Sequence, residues 1–183
     1  MKSTSLVCAA FLLLAGACSS GVSEEIQLVD RIPTEERNVN YVSSKAPMMP
    51  QQFIKLPVGS IKPEGWLLTQ LQLQKDGLNG HLGEISAWLQ KEDNAWLTAG
   101  GKWGWEEVPY WLRGYAGVAY LFEDKSMLDE AKIWIESILN SQRENGNFGP
   151  SAESKGAQDF WPNMIALWIL QSYYEYTDDA RVI

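Results

Sequence analysis

The chain has 183 residues, with 15 Lys and Arg against 23 Asp and Glu and a formal net charge of -8. That acidity excludes a nucleic-acid binder, which needs a basic face to displace phosphate counterions. One histidine, His81, and two cysteines, Cys8 and Cys18, exclude a multi-histidine metal site, a two-histidine proton relay and a disulfide framework within these residues.

Residues 1–17 read as a signal peptide. Lys2 supplies the positive start, and an apolar run from Leu6 to Ala15 follows, too short to span a bilayer permanently. The run ends in L-A-G-A-C-S-S-G at residues 14–21. Small residues before a cysteine and a polar stretch after it resemble the lipobox of a bacterial lipoprotein, although Ala15 stands where leucine is usual. The expectation is that Cys18 is lipidated and becomes the first mature residue. The protein is then extracytoplasmic, held in the cell envelope at the outer membrane or in the periplasm, and meets the membrane only through that lipid. Residues 18–52, with Glu24, Glu25, Pro33, Pro47 and Pro50, read as a flexible tether.

Residues 53–183 read as almost wholly helical. The first expected helix starts at Trp66, carries Leu67, Leu71 and Leu78 near helical spacing, and is punctuated by Gly77. A shorter helix is expected over Glu84–Gln90. A Gly-rich loop from Asn94 to Gly104 then leads into W-G-W-E-E-V-P-Y-W-L-R-G at residues 103–114, with Pro109 in the first turn of a helix that runs to about Phe122. On that helix Trp111, Tyr115, Val118 and Phe122 share one face and are expected to be core. Asp124 should cap the next helix, whose apolar face holds Met127, Leu128, Ala131, Trp134, Ile135, Ile138 and Leu139 and which Gly146 should end. A last helix begins near Trp161-Pro162 and continues through Tyr176.

An internal echo runs through this pattern. Tyr110-Trp111 followed by Ala116 is matched by Phe160-Trp161 followed by Ala166, and the acidic turns Glu123-Asp124 and Asp178-Asp179 close the two helices. A period near 50 residues is a helical hairpin with its loops, and hairpins repeated in a ring make an α/α toroid. The fold class expected is therefore all-α, part of a six-hairpin (α/α)6 toroid. Ala180, Val182 and Ile183 look like the opening of another apolar helix, so the chain is expected to be incomplete, with Ile165, Leu167 and Trp168 lacking partner helices.

Stacking planes beside carboxylates are what a sugar site needs, since rings hold a pyranose or furanose face while carboxylates take its hydroxyls or move protons. Trp103, Trp105 and Tyr110 in or beside the Gly-rich loop, with Glu106 and Glu107, are the substrate-binding candidates, and Asp159 before the later helix start joins them. Adjacent residues at a helical start diverge by about 100°. One of Glu106 and Glu107 therefore faces a ligand, and Glu107 is favoured. Helix capping is the competing role for all three carboxylates. His81 with Glu84 could face a ligand or simply lie on the surface.

Four segments in order also carry a resemblance. They are G-W-L with Gln70-Leu71 and Q-K-D-G-L at residues 65–78, W-E-E-V-P-Y-W-L-R-G at 105–114, Q-R-E-N-G-N-F-G-P at 142–150, and Y-Y-E-Y-T-D-D at 173–179. Together they resemble the N-terminal part of the β-L-arabinofuranosidase-like proteins of glycoside hydrolase family 127. The resemblance implies an (α/α)6 toroid and hydrolysis of terminal L-arabinofuranose, or a related sugar, from plant oligosaccharides or polysaccharides. It also implies a zinc site and a catalytic glutamate in the full-length protein, both beyond Ile183, so that the segment alone is inactive and no metal or cofactor is expected among its own residues. Where the resemblance implies a Gly-His pair, this chain has D-F-W-P-N-M-I-A at residues 159–166. The alternative function is a non-catalytic, surface glycan-binding helical lipoprotein, which needs the tryptophan-rich loop but no acid and base.

Overall fold

The computed structural model describes residues 41, 44–51, 53–150 and 159–183. The expected signal peptide, Cys18 and most of the expected tether lie outside them. The described residues belong to one unit of the chain, Thr34–Ile183. Its helices are α1 (Gly65–Asp76), α2 (Leu78–Ile85), α3 (Glu107–Phe122), α4 (Lys125–Asn140) and α5 (Trp161–Thr177), with 3-10 turns at Ala87–Leu89 and Ala180–Val182. Among the described residues there is no β-strand, only a parallel bridge between Asn94 and Trp103.

The core is built where α3 meets α4 and α5. Val108, Leu112 and Ala119 of α3 are fully buried, against Trp134, Ile135 and Ile138 of α4 and Ile165, Ala166 and Ile169 of α5. Trp111, Tyr115 and Val118 are buried and Phe122 is partly so, as the spacing predicts. Trp111 meets Trp134 edge-on with centroids 5.9 Å apart, a geometry that suits the ring quadrupoles. Asp124 caps α4, its Oδ1 accepting from the Met127 amide at 3.0 Å.

The order of contacts fixes the helix directions. Near their starts Trp161 Nε1 donates to Tyr110 Oη at 3.1 Å. Midway the Arg113 guanidinium lies 4.0 Å from the Trp168 ring centre. Near their ends Tyr120 and Tyr176 stack at 4.4 Å. Helices α3 and α5 therefore run parallel, while α4 returns antiparallel through the short turn Glu123-Asp124. Parallel neighbours joined by a returning helix are how an α/α toroid advances.

The echo in the sequence is a structural repeat. Glu123 and Asp178 both close their helices in the left-handed conformation, at φ 53° and 55°. Asp124 and Asp179, one residue on, both cap the succeeding helical turn through the side chain. The paired alanines, Ala116 and Ala166, are both buried, small enough to let the parallel helices approach.

Several expectations are corrected. The short helix lies at Leu78–Ile85, not Glu84–Gln90, because the break at Gly77 is followed at once by a new helix. Gly146 does not end α4. That helix stops at Asn140 with Ser141 as its cap, and Gly146, at φ 81°, belongs to a separate turn that its amide closes on Arg143 O. Leu67 and Leu78 are exposed, and only Leu71 of that expected face packs on the core. Ile165 is buried among the helices present, whereas Leu167 and Trp168 are exposed.

Candidate functional site

The Gly-rich loop that precedes α3 is a hydrogen-bonded platform. At its centre is Asn94, fully buried. Its Nδ2 donates to Trp88 O and Gln90 O at 3.2 and 3.0 Å, and its Oδ1 accepts from the Trp96 amide at 3.1 Å. Across the bridge Ala95 N donates to Trp103 O at 2.9 Å, and Lys102 N donates to Asp93 O at 2.8 Å. Gly104 sits at φ +77°, where a β-carbon would lie 2.6 Å from Trp88 O and 2.7 Å from Asn94 Nδ2. Only glycine fits that corner.

Trp96 ties this loop to the rest of the unit. Its ring N–H donates to Trp105 O at 3.0 Å, and its carbonyl accepts from Ser137 Oγ of α4 at 2.6 Å. The loop 141–149 presses on the same ring, since a β-carbon at Gly149, φ +76°, would lie 2.6 Å from it. Asn94 and Trp96 escaped the reading of the sequence. The available signal was an asparagine two residues before a tryptophan at the start of a Gly-rich loop, where a buried side-chain amide can replace missing backbone partners.

Helix α3 presents an open face made of Glu106, Tyr110, Arg113, Gly114 and Gly117, spaced three and four apart. Beside it α5 presents Trp161, Met164 and Trp168 in the same register, with Phe160 and Leu167 flanking. The bonded pair Tyr110 and Trp161 and the stacked pair Arg113 and Trp168 join the two into one wall. By contrast α4 turns a charged face outward, with Lys125 and Asp129 paired at 2.5 Å. The aromatic face is thus the inner one and the charged face the outer one.

The carboxylates separate by role. Glu107 turns its Oε2 back to the Glu106 amide at 3.3 Å, a capping contact, and its neighbour Glu106 is left exposed on the aromatic face. Asp159 holds the start of α5 through the Trp161 amide at 3.0 Å, and accepts from Trp105 Nε1 at 3.3 Å. It therefore joins the beginnings of the two inner helices. Trp105 itself is buried, so its ring positions Asp159 instead of offering a stacking surface. Trp103 and Tyr110 do offer one, at 44% and 51% exposure. His81 stands apart on α2, with Nδ1 2.7 Å from Glu84 Oε1. Glu107, favoured from the sequence, is half-buried with its carboxylate on the Glu106 amide, whereas Glu106 is exposed.

At the other end of the wall the chain packs against itself. Glu175, on the α5 stripe below Trp168, has an almost completely buried side chain. It accepts from the Tyr41 hydroxyl, from Lys55 Nζ at 2.5 Å and from the Val58 amide at 2.7 Å, while Gln171 donates to Tyr41. Burial alone would raise the Glu175 carboxyl, but the donors from Lys55, Tyr41 and Val58 outweigh it and hold it below its ordinary value. Tyr41, expected in the tether, is thus docked on α5. Among the described residues, Tyr41 and Lys55 lie at the far end of the wall, away from the starts of α3 and α5.

Residues 25–183 match a family model described as the beta-L-arabinofuranosidase, GH127 catalytic domain. The chain belongs to this family. No curated protein and no solved structure matches it. Membership makes this the catalytic-domain fold of a glycoside hydrolase, an (α/α)6 toroid, and agrees with the helices and parallel inner pair described above. It gives the wall a carbohydrate context. Among the described residues no group of three or more His, Cys, Asp or Glu is placed to hold a metal. Where the family resemblance implies a histidine, this GH127 chain places Phe160 and Trp161 at the mouth of the wall.

Proposed function

We propose that the full-length protein releases terminal L-arabinofuranose, or a closely related sugar, from plant-type glycans, and that the α3–α5 wall forms one side of the sugar pocket. The observation that supports this most is the open face on which Glu106, Tyr110 and Trp161 stand together at the inner-helix starts. The Trp161 ring offers its apolar face to the C–H side of a furanose, and the Tyr110 hydroxyl, already accepting from the indole, can donate to a sugar oxygen. Glu106, exposed at the start of α3, can accept hydrogen bonds from hydroxyls. Half-buried Asp159 and buried Trp105 hold these groups in place, so binding orders little that is not already ordered. Residues that cleave the glycosidic bond are assigned to none of these positions.

We further propose that Cys18 carries the lipid that anchors the mature protein in the envelope. The proposed substrate is then an extracellular or periplasmic oligosaccharide.

The experiment is hydrolysis of an aryl β-L-arabinofuranoside by the full-length protein and by Glu106→Gln. Loss of a hydrogen bond to a charged acceptor, about 1.5–3 kcal/mol, predicts a fall in kcat/KM of about 10- to 100-fold. Release of no sugar from any arabinofuranoside by the full-length protein would leave the binding-lipoprotein reading in its place.

A further inference from the structure

We infer that Trp88 and Trp103 form a second sugar-docking cleft, which holds a neutral glycan unit beyond the one bound on the α3–α5 wall. This rests on the carbohydrate reading above and extends it from one sugar to a chain of them. The two rings meet edge to face, with centroids 5.9 Å apart and planes at 65°. They form the corner of a cleft of about 480 Å³ that Ala87, Gln90, Glu92 and Asp93 complete. That volume lies within the usual range of small-ligand sites, about 300–1,000 Å³.

Three features make the corner a site rather than two stray tryptophans. The rings are 48% and 44% exposed, and large exposed apolar groups side by side mark binding surfaces. Their backbones are both held at one buried residue, Asn94. Asn94 Nδ2 donates to Trp88 O, and its residue bridges to Trp103. A β-carbon at the neighbouring Gly104 would strike Trp88 O. The corner is therefore preorganised, and a ligand spends little free energy ordering it. The polar rim, finally, is acidic. Glu92 and Asp93 supply acceptors for hydroxyls, with Lys102 at 3.2 Å from Asp93 as a donor on the same edge. On a chain of net charge -8, such a rim repels a uronate-rich or phosphorylated polymer and suits a neutral one. Trp103 lies only four residues before Glu107, the first residue of α3, so the cleft and the wall are close along the chain.

The test uses the full-length protein with two substrates, a linear arabinofuranose tetrasaccharide and a one-sugar aryl β-L-arabinofuranoside, and the variants Trp88→Ala, Trp103→Ala and Trp88→Phe. The ratio of kcat/KM for the tetrasaccharide to that for the aryl glycoside should fall about tenfold in each alanine variant, and Trp88→Phe should restore most of it. Equal losses on both substrates, or an unchanged ratio, overturn the inference. Should the wild type hydrolyse neither substrate, the proposed activity fails, and the cleft is judged by direct titration of the tetrasaccharide against tryptophan fluorescence. Saturable binding that both alanine variants weaken about tenfold then supports the cleft. Absent binding, or equal binding by the variants, overturns it.

Discussion

At Gly104 one backbone angle carries the geometry of the whole mouth. An alanine there adopts a conformation L-residues rarely take, at φ +77°, and drives its methyl against Trp88 O and Asn94. Strain and overpacking together should cost about 2–4 kcal/mol, readable as a lower midpoint in urea denaturation. An unchanged midpoint would show that the loop is free to shift. Glu107→Gln separates capping from sugar contact. Because the Glu107 carboxylate is spent on the Glu106 amide, that variant should lower stability by about 1 kcal/mol or less while kcat/KM per folded molecule holds, whereas Glu106→Gln should do the reverse. Sequence alone could place both glutamates at a helix start and require them to diverge. It could not say which one the cap would claim, because that choice depends on where the preceding turn delivers the amide of Glu106. Trp105 shows the same limit: its aromatic character was plain, but its burial comes from Trp96 and Asp159, residues nine positions before it and 54 after it.

At the level of elements, helices whose apolar faces recur at helical spacing were readable: α3 and α5 stand where the pattern put them, and α4 starts where expected but stops at Asn140. The cap at Asp124 belongs to the same group, since capping is local chemistry. Asp124→Ala should lower stability by about 1 kcal/mol, and a melting temperature equal to wild type would remove the cap as a source of stability. The pattern could not show the setting of α1. Its leucines match the period, yet most remain exposed because among the described residues it is mainly α2 and α3 that lie against it. Nor could it show that Tyr41 and Lys55 reach Glu175, more than a hundred residues away. That contact makes a prediction with a definite sign. The Glu175 carboxyl is held below its ordinary value of 4.5, so the folded state binds its proton less readily than the unfolded one. Its contribution to stability is complete above that value and disappears as pH falls through the lower folded value. Melting curves taken between about pH 7 and pH 3 should therefore lose less stability in Glu175→Gln than in wild type. Parallel acid profiles for the two proteins would assign the acid loss to other groups.

Across the whole molecule, one hairpin and the parallel start of the next suffice to define an inner aromatic wall and an outer charged surface. The repeated left-handed helix ends at Glu123 and Asp178, with capping aspartates behind them, are the physical content of the 50-residue period. Tyr41 and Lys55 pack on Glu175 at one end of the wall, and the loop around Asn94 frames the other. At the helix starts Trp161 stands half exposed. If Cys18 is the anchor, Cys18→Ala should shift the protein from the membrane fraction to the soluble one, and unchanged fractionation would refute lipidation. The most direct test of the central claim is kcat/KM of full-length Trp161→Ala for an aryl β-L-arabinofuranoside, with the melting temperature measured on the same sample. Loss of one stacking surface from an exposed position predicts a fall of about tenfold with the melting temperature within about 2 °C of wild type. Full activity in that variant, whatever its melting temperature, would contradict the wall as the sugar site.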